Sequence, residues 1–255
     1  MIIACLQVRL KSKRLPNKAL IKIKDKPLFL HVVQRIKCAK KIDKVIVCTS
    51  KNKQDIPIIN LCKINNIEYY AGDEDNVIKR FVDAVSKYKP NHILRATGEN
   101  PCINFEFIDI AIKQHIKNRS KYTTTDDLPR GMRSEVINFN FLKNLHAKLV
   151  EPKMTEYMTW YLDRPKKWKV LKVKMPQKFK RKKYRLTVDT ESDLKVVKKV
   201  YSQLYKGLPI ESLKIINFLD RNKKVVMLNN KIKHRLLNDF KNKVDVRTFD
   251  EMGAK

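Results

Sequence analysis

An α/β fold, built as a mostly parallel sheet with helices on both faces, is predicted by three observations. Short apolar runs rich in β-branched residues, "MIIACLQV", "DKVIVCTS" and "NHILRATG", are bounded by charge or glycine and suit strands buried on both faces. Between them lie segments with helical spacing, such as "PLFLHVVQRIKCAK", where Leu28, Val32, Ile36 and Ala39 recur behind Pro27. The runs alternate at intervals that fit strand–helix–strand units, which lay helices on the faces of a parallel sheet.

Taken in order, "MIIACLQV" is the first strand, and a basic loop leads from it to the helix behind Pro27. "DKVIVCTS" is a strand, "DIPIINLCKINN" a helix, and "IEYYAG" a third strand ending at Gly72. "DNVIKRFVDAVSKY" is a helix with Asp75 placed to cap it, and "NHILRATG" a strand ending at Gly98. "FEFIDIAIKQHI" reads as a helix and "KYTTT" as a short strand; the polar loop "DDLPRGMRSEVIN" then leads into another strand. A helix in "MTEYMTWYL" and a strand in "WKVLKVKM" follow. "YRLTVDTESDLKVVKKVYSQL" is strand into helix, with Asp189 at the strand end and Thr190 in capping position. One more helix, "LPIESLKIINFLDRN", precedes a tail rich in lysine and asparagine.

A chain of 255 residues can bury a substantial core, and one continuous domain over 1–220 is expected, with 221–255 as a C-terminal extension. No apolar stretch approaches the ~20 residues that span a bilayer. The first residues lack the basic prelude and small-residue cleavage site of a secretory signal, so a cytoplasmic protein is expected. Cys5, Cys38, Cys48, Cys62 and Cys102 form no C-x-x-C pair, which disfavours a zinc knuckle and suggests reduced, mostly buried thiols. His31, His92, His115, His146 and His234 are scattered and are expected to be structural. The net charge of +31 raises nucleic acid as a partner, as does the run "KFKRKKYR" at 178–185. Yet 43 of the 57 cations are lysines spread over every segment, and aromatic residues do not interleave with the basic runs as stacking platforms would require.

The stretch "LQVRLKSKRLPNKAL" gathers Arg9, Lys11, Lys13, Arg14 and Lys18 about Ser12 and Pro16, just after the first strand. In an α/β sheet that is where ligands collect, and guanidinium forks and ammonium groups there suit a polyphosphate. Neither G-x-x-x-x-G-K-[ST] nor G-x-G-x-x-G occurs, against a P-loop or dinucleotide site. By itself, such a loop is more often a solvated one. With only five glycines, Gly72, Gly98 and Gly131 mark either a pocket rim or plain turns.

"VRLKSKRLPNKAL" resembles the nucleotide-binding loop of the cytidylyltransferases that activate acidic sugars, whose pattern runs A-R-x-x-S-x-R-L-P-x-K-x-L. Arg9, Ser12, Arg14, Leu15, Pro16, Lys18 and Leu20 fall on it, while Val8 replaces the usual alanine and Asn17 the usual glycine. The later segments "GDEDNVIKRF", "ILRATGENPCI", "PRGMRSEV" and "YRLTVDTESDLKVV" are similar, in order, to the spore coat polysaccharide branch of that superfamily. The resemblance spans almost the whole chain. It implies the nucleotide-diphospho-sugar transferase architecture, Rossmann-like and GT-A-like. It also implies transfer of CMP from CTP to an acidic sugar or related anionic acceptor, with release of pyrophosphate, in surface polysaccharide or glycoconjugate synthesis. Magnesium as cofactor and a homodimer, with residues 130–175 as an acceptor and dimerisation elaboration, are further implications.

Carried over residue by residue, the resemblance gives Arg9, Ser12, Arg14 and Lys18 to the triphosphate, with Arg14 and Lys18 as the catalytic pair. Leu6 and Gln7 would offer backbone groups to base and ribose, and Arg80, Arg95 and Gly98 would complete the nucleotide site; a structural ion pair is the rival role for Arg80. Glu99 and Asp189 are the magnesium ligands, with Asp193 as a less direct partner. Glu99 stands where the family has aspartate, and its extra methylene puts direct ligation in question. Asn100, Arg130, Arg133 and Glu135 would meet the acceptor. Pro152 and Lys153 replace an acidic residue and histidine frequent in the family, so the acceptor's identity does not carry over. Two other functions fit the same residues: a nucleotide-binding member with little turnover, and a non-specific nucleic-acid binder.

Overall fold

The computed structural model describes residues 1–149 and 155–232. Its first strand, β1 (Ile2–Gln7), is followed by a two-stranded antiparallel hairpin, β2 (Lys22–Ile23) and β3 (Lys26–Pro27), and by α1 (Leu28–Ile36). Next come β4 (Lys44–Ser50), α2 (Ile56–Ile64), β5 (Glu68–Gly72), α3 (Val77–Val85), β6 (His92–Thr97) and α4 (Ile108–Lys117). The order continues with β7 (Tyr122–Thr125), β8 (Glu135–Asn138), α5 (Phe139–Lys148), α6 (Met158–Leu162) and β9 (Val170–Val173). It closes with α7 (Glu191–Leu204), α8 (Ser212–Arg221) and α9 (Lys223–Met227).

Seven strands form one sheet in the order β5-β4-β1-β6-β8-β7-β9, and β8 alone runs against the others. The predicted α/β architecture is therefore observed. β1 is paired on both sides, which is why its sequence is apolar without alternation: Ile3 and Cys5 pack beneath α3 and α5, while Ala4 and Leu6 pack beneath α1, α2 and α4. β5 lies at the edge, and there Glu68 and Tyr69 are exposed. From β1 the chain steps outward through β4 to β5, then returns to lay β6 on the other side of β1. The carboxyl ends of β1 and β6 thus border the crevice where strand order reverses, the place where open α/β sheets take ligands.

A third apolar cluster lies under this end of the sheet. It joins Leu194, Val197 and Tyr201 of α7 and Ile215 and Leu219 of α8 to Leu15 of the basic loop and to Leu186 and Val188. Burying Leu15 anchors the loop in the core, and a fully buried leucine contributes about 1.5–3 kcal/mol.

Several elements differ from expectation. The cap of α3 is Asn76, whose side chain accepts from the Lys79 amide, and not Asp75. Residues 184–189 make no ladder; a single parallel bridge joins Arg130 to Arg185. "MTEYMTWYL" shrinks to a 3-10 turn at Thr155–Tyr157 and the five-residue α6. α5 was not foreseen, although Asn138 caps it by accepting from the Phe141 amide, and Phe139, Leu142 and Leu145 all face the core. Within 130–175, β8 and β9 lie in the main sheet. The described part of the C-terminal extension also docks: Asn229 is buried and reaches α7 and the segment before it. Pro152, Lys153, His234 and the chain beyond residue 232 lie outside the described residues.

Candidate active site

The basic loop leaves β1 at Gln7 and folds back so that the Asn17 amide donates to the Leu10 carbonyl at 3.3 Å. Asn17 takes φ 54°, a left-handed conformation that asparagine tolerates better than most side chains. Asp55, fully buried, ties the loop to β4: one oxygen accepts from the Leu10 amide at 2.8 Å, the other from the Ser50 amide at 3.2 Å and from the Ser50 hydroxyl. These bonds fix where the loop's cations point.

Two of those cations converge on one carboxylate. Lys18 Nζ lies 2.8 Å from Asp189 Oδ1 and 3.8 Å from Glu99 Oε2, and Arg14 approaches the same Asp189 oxygen at 3.4 Å. The second Asp189 oxygen accepts from Arg185 at 2.8 Å. Glu99 is brought alongside by the backbone, because the Val188 amide donates to the Glu99 carbonyl at 2.8 Å. Burial alone would raise the Asp189 carboxyl, but Lys18, Arg14 and Arg185 overcome it and hold the group at about 2. Burial likewise opposes the charge on Lys18, and Glu99 and Asp189 more than offset it, so its ammonium is held above its ordinary range. The centre is ionised on both sides at neutral pH.

Arg185 and Asp193 were not singled out as primary groups, yet they form the floor of this centre. Asp193 is fully buried, accepts from Arg185 Nε at 2.7 Å, and closes the cap of α7 with Thr190 as expected. The four-residue spacing of Arg185 from Asp189 in "YRLTVDT" was a sequence signal for the pair.

Gly131 brings the acceptor segment against this floor. Its φ is +93°, and a Cβ there would lie 2.5 Å from the Thr187 amide nitrogen, so only glycine permits the approach. The Arg130 amide and carbonyl bond to Tyr184 and Leu186 on either side of Arg185. Arg130 and Arg133 are both exposed, and neither forms an ion pair among the described residues. Surrounding protein and the charges of Arg185 and Arg133 depress the Arg130 guanidinium, against the pull of Asp189 and Glu99. Because that side chain is open to solvent by area, the shift carries little free energy. Asn100 donates to Thr97 Oγ1 at 2.7 Å, and its buried side-chain oxygen has no partner among the described residues. Ser12 is half-buried in the loop.

Six of the expected site residues are already bonded within the protein. Arg95 and Glu135 do not stand free as nucleotide and acceptor contacts; they pair with each other across β6 and β8, both largely buried. Glu135 also accepts from Tyr122 and, at 2.8 Å, from Thr159. Arg80 is completely buried on α3 and donates to the Asp73 carbonyl at 2.7 Å, so it supports the loop after β5. Its Nε and one Nη have no partner among the described residues. Burial holds Arg80 down to about 10. Leu6 is buried and paired in the ladders with β4 and β6, and the Gln7 carbonyl accepts from Gly98 at 2.9 Å, so these backbone groups are occupied by the sheet. In Gln7 it is the side-chain oxygen that is buried and without a partner among the described residues. Arg9 donates to the Glu74 carbonyl at 2.8 Å, at the end of the crevice away from Asp189.

The cations of 178–185 are largely matched by acids of the same chain: Arg181 with Asp220 at 2.8 Å, Lys182 with Asp127 at 2.5 Å, and Arg185 with Asp189 and Asp193. Burial pushes the Cys62 thiol up to about 12 and Cys102 to about 11, which suits inert core residues. Among the described residues no helix is long and apolar enough to cross a membrane.

A parallel sheet whose reversal point carries a cationic loop facing two carboxylates defines a nucleotidyltransferase. Residues 3–231 match the family model described as cytidylyltransferase. The Methanocaldococcus jannaschii protein MJ1063 is 33% identical over 92% of this chain and 96% of its own. The spore coat polysaccharide biosynthesis protein SpsF of Bacillus subtilis is 30% identical over 87% of this chain and 95% of its own. A solved cytidylyltransferase of Leptospira borgpetersenii superposes with a TM-score of 0.82 at 25% identity, covering 91% of this chain and 99% of that one. The chain belongs to the cytidylyltransferase family and is a CTP-dependent nucleotidyltransferase.

Proposed function

We propose that the protein transfers the cytidylyl group of CTP to an anionic sugar, releasing pyrophosphate, in the synthesis of a surface polysaccharide or glycoconjugate. The observation that carries this is the convergence of Lys18 and Arg14 on Asp189, with Glu99 sharing the same ammonium, at the crevice between β1 and β6. The similarity to SpsF supports the pathway.

Magnesium takes oxygen ligands and usually keeps several waters, so one or two carboxylates with phosphate oxygens suffice. Glu99 and Asp189 fit that requirement, since their carboxylates already meet on one positive charge, the Lys18 ammonium. They would hold the ion, which would neutralise charge on the departing pyrophosphate. Lys18 and Arg14, drawn from Asp189 to the incoming triphosphate, would stabilise charge at the α-phosphate and along the leaving group. Ser12 would bind a further phosphate oxygen, and Arg9, released from the Glu74 carbonyl, would bind another. Arg130 and Arg133, exposed beside the floor, would neutralise the acceptor's carboxylate and bring its hydroxyl in line with the α-phosphorus. A homodimer is part of the same proposal.

Two measurements test it. Of the four nucleoside triphosphates, CTP with magnesium should stabilise the protein most, by about 2.7 kcal/mol at 100 times its dissociation constant. Pyrophosphate should then appear only when an acidic sugar is added. Release with neutral sugars alone, across a panel of both kinds, contradicts the anionic acceptor.

A further inference from the structure

Asp189 presents Oδ1 to Lys18 and Arg14 because its other oxygen is held by Arg185. Arg185 in turn is oriented by Asp193, which takes its Nε at 2.7 Å and one Nη at 3.1 Å. Asp193 also accepts from the Asp189 amide itself, at 3.1 Å, so side chain and backbone of Asp189 are referred to the same buried carboxylate. What completes this carboxylate comes from far along the chain. The Asn229 amide donates to Asp193 Oδ1 at 2.9 Å and to the Arg185 carbonyl at 3.0 Å.

Asn229 is only 3% exposed, in a stretch after α9 that is otherwise polar: Asn229-Asn230-Lys231. A buried amide that bridges two groups of one network is costly to leave unmade, and no other bond of this side chain is needed to explain its burial. The neighbouring Leu228 is 43% exposed, so the turn is not drawn inward by apolar packing at that position.

We infer that Asn229 is a positioning residue for the reaction. Through Asp193 and Arg185 it holds Asp189 in the orientation that faces the phosphate loop, and residues 222–232 form the clasp that delivers it. This rests on the proposed role of Asp189. It gives the C-terminal segment a place in the chemistry without contact with either substrate. A group bonded directly to such a carboxylate, as Arg185 is to Asp189, commonly changes activity about 10–100-fold when removed, and Asn229 acts through it within that range.

The test compares Asn229→Ala, Asn229→Ser and Asp189→Asn in the full chain, with kcat counted per CTP-binding site by calorimetry so that unfolded protein does not enter. Asn229→Ala should lower kcat about 10–100-fold and change the dissociation constant for CTP without divalent ion less than about threefold. Asn229→Ser, which keeps one donor, should recover part of that kcat. Wild-type kcat per site in Asn229→Ala, with Asp189→Asn inactive, overturns the inference and leaves the proposed site standing. Full activity in Asp189→Asn overturns both.

Discussion

Replacing Glu135 by glutamine separates a scaffold role from an acceptor contact. The carboxylate is largely buried and accepts from Arg95, Tyr122 and Thr159, so the substitution leaves the Arg95 guanidinium without its counter-ion. Among the described residues Arg95 has one other partner, the Glu156 carbonyl at 3.1 Å, and its Nε has none. Breaking a buried ion pair by removing one charge costs about 3–5 kcal/mol. At about 2–4 °C per kcal/mol for a domain of this size, Tm should fall by about 6–20 °C, read by scanning calorimetry. The pH dependence follows from the same pair. Burial would raise the Glu135 carboxyl, but Arg95, Tyr122 and Thr159 together hold it below its ordinary value. Its contribution to stability is therefore complete above the ordinary carboxylate range and is lost as pH falls through the lowered one. The wild type should lose more Tm on acidification below pH ~4 than Glu135→Gln does. An unchanged Tm in the variant, together with a KM for the acceptor raised tenfold or more, would refute the scaffold role.

Other perturbations follow from the same geometry. Lys18→Met should lower kcat/KM for CTP by about 10²–10³, as loss of one preorganised donor to a charged transition state does, in a pyrophosphate-release assay. Arg130→Ala with Arg133→Ala should raise KM for the acceptor about 10–100-fold and leave CTP affinity by calorimetry within twofold, since charge-assisted hydrogen bonds contribute about 1.5–3 kcal/mol. At Asn17, alanine should cost about 1–2 kcal/mol in chemical denaturation because of the left-handed backbone, while glycine should be neutral within about 0.5 kcal/mol.

The architecture was legible because the central strands are apolar on both faces and the helices repeat at their own period. α5 was overlooked beside its cap Asn138, and the supposed strand before Asp189 is a single bridge because Arg185 and Asp189 turn toward each other there. Within the site, motif positions located the loop and its facing acids, but Arg95, Glu135 and Arg80 could not be sorted by residue type. An arginine in a motif looks the same whether it faces a ligand or a buried glutamate.

By itself the sequence determined the sheet-and-helix order, the cationic loop after the first strand and its cytidylyltransferase character, because local patterning and motif spacing are written along the chain. Only the tertiary structure decided which charges meet. Lys18 lies 171 residues from Asp189, and Asn229 is 44 from Arg185, yet both pairs are within hydrogen-bonding distance. Electrostatic pairing depends on ångström separation and on exclusion of water, and both are properties of the packed chain.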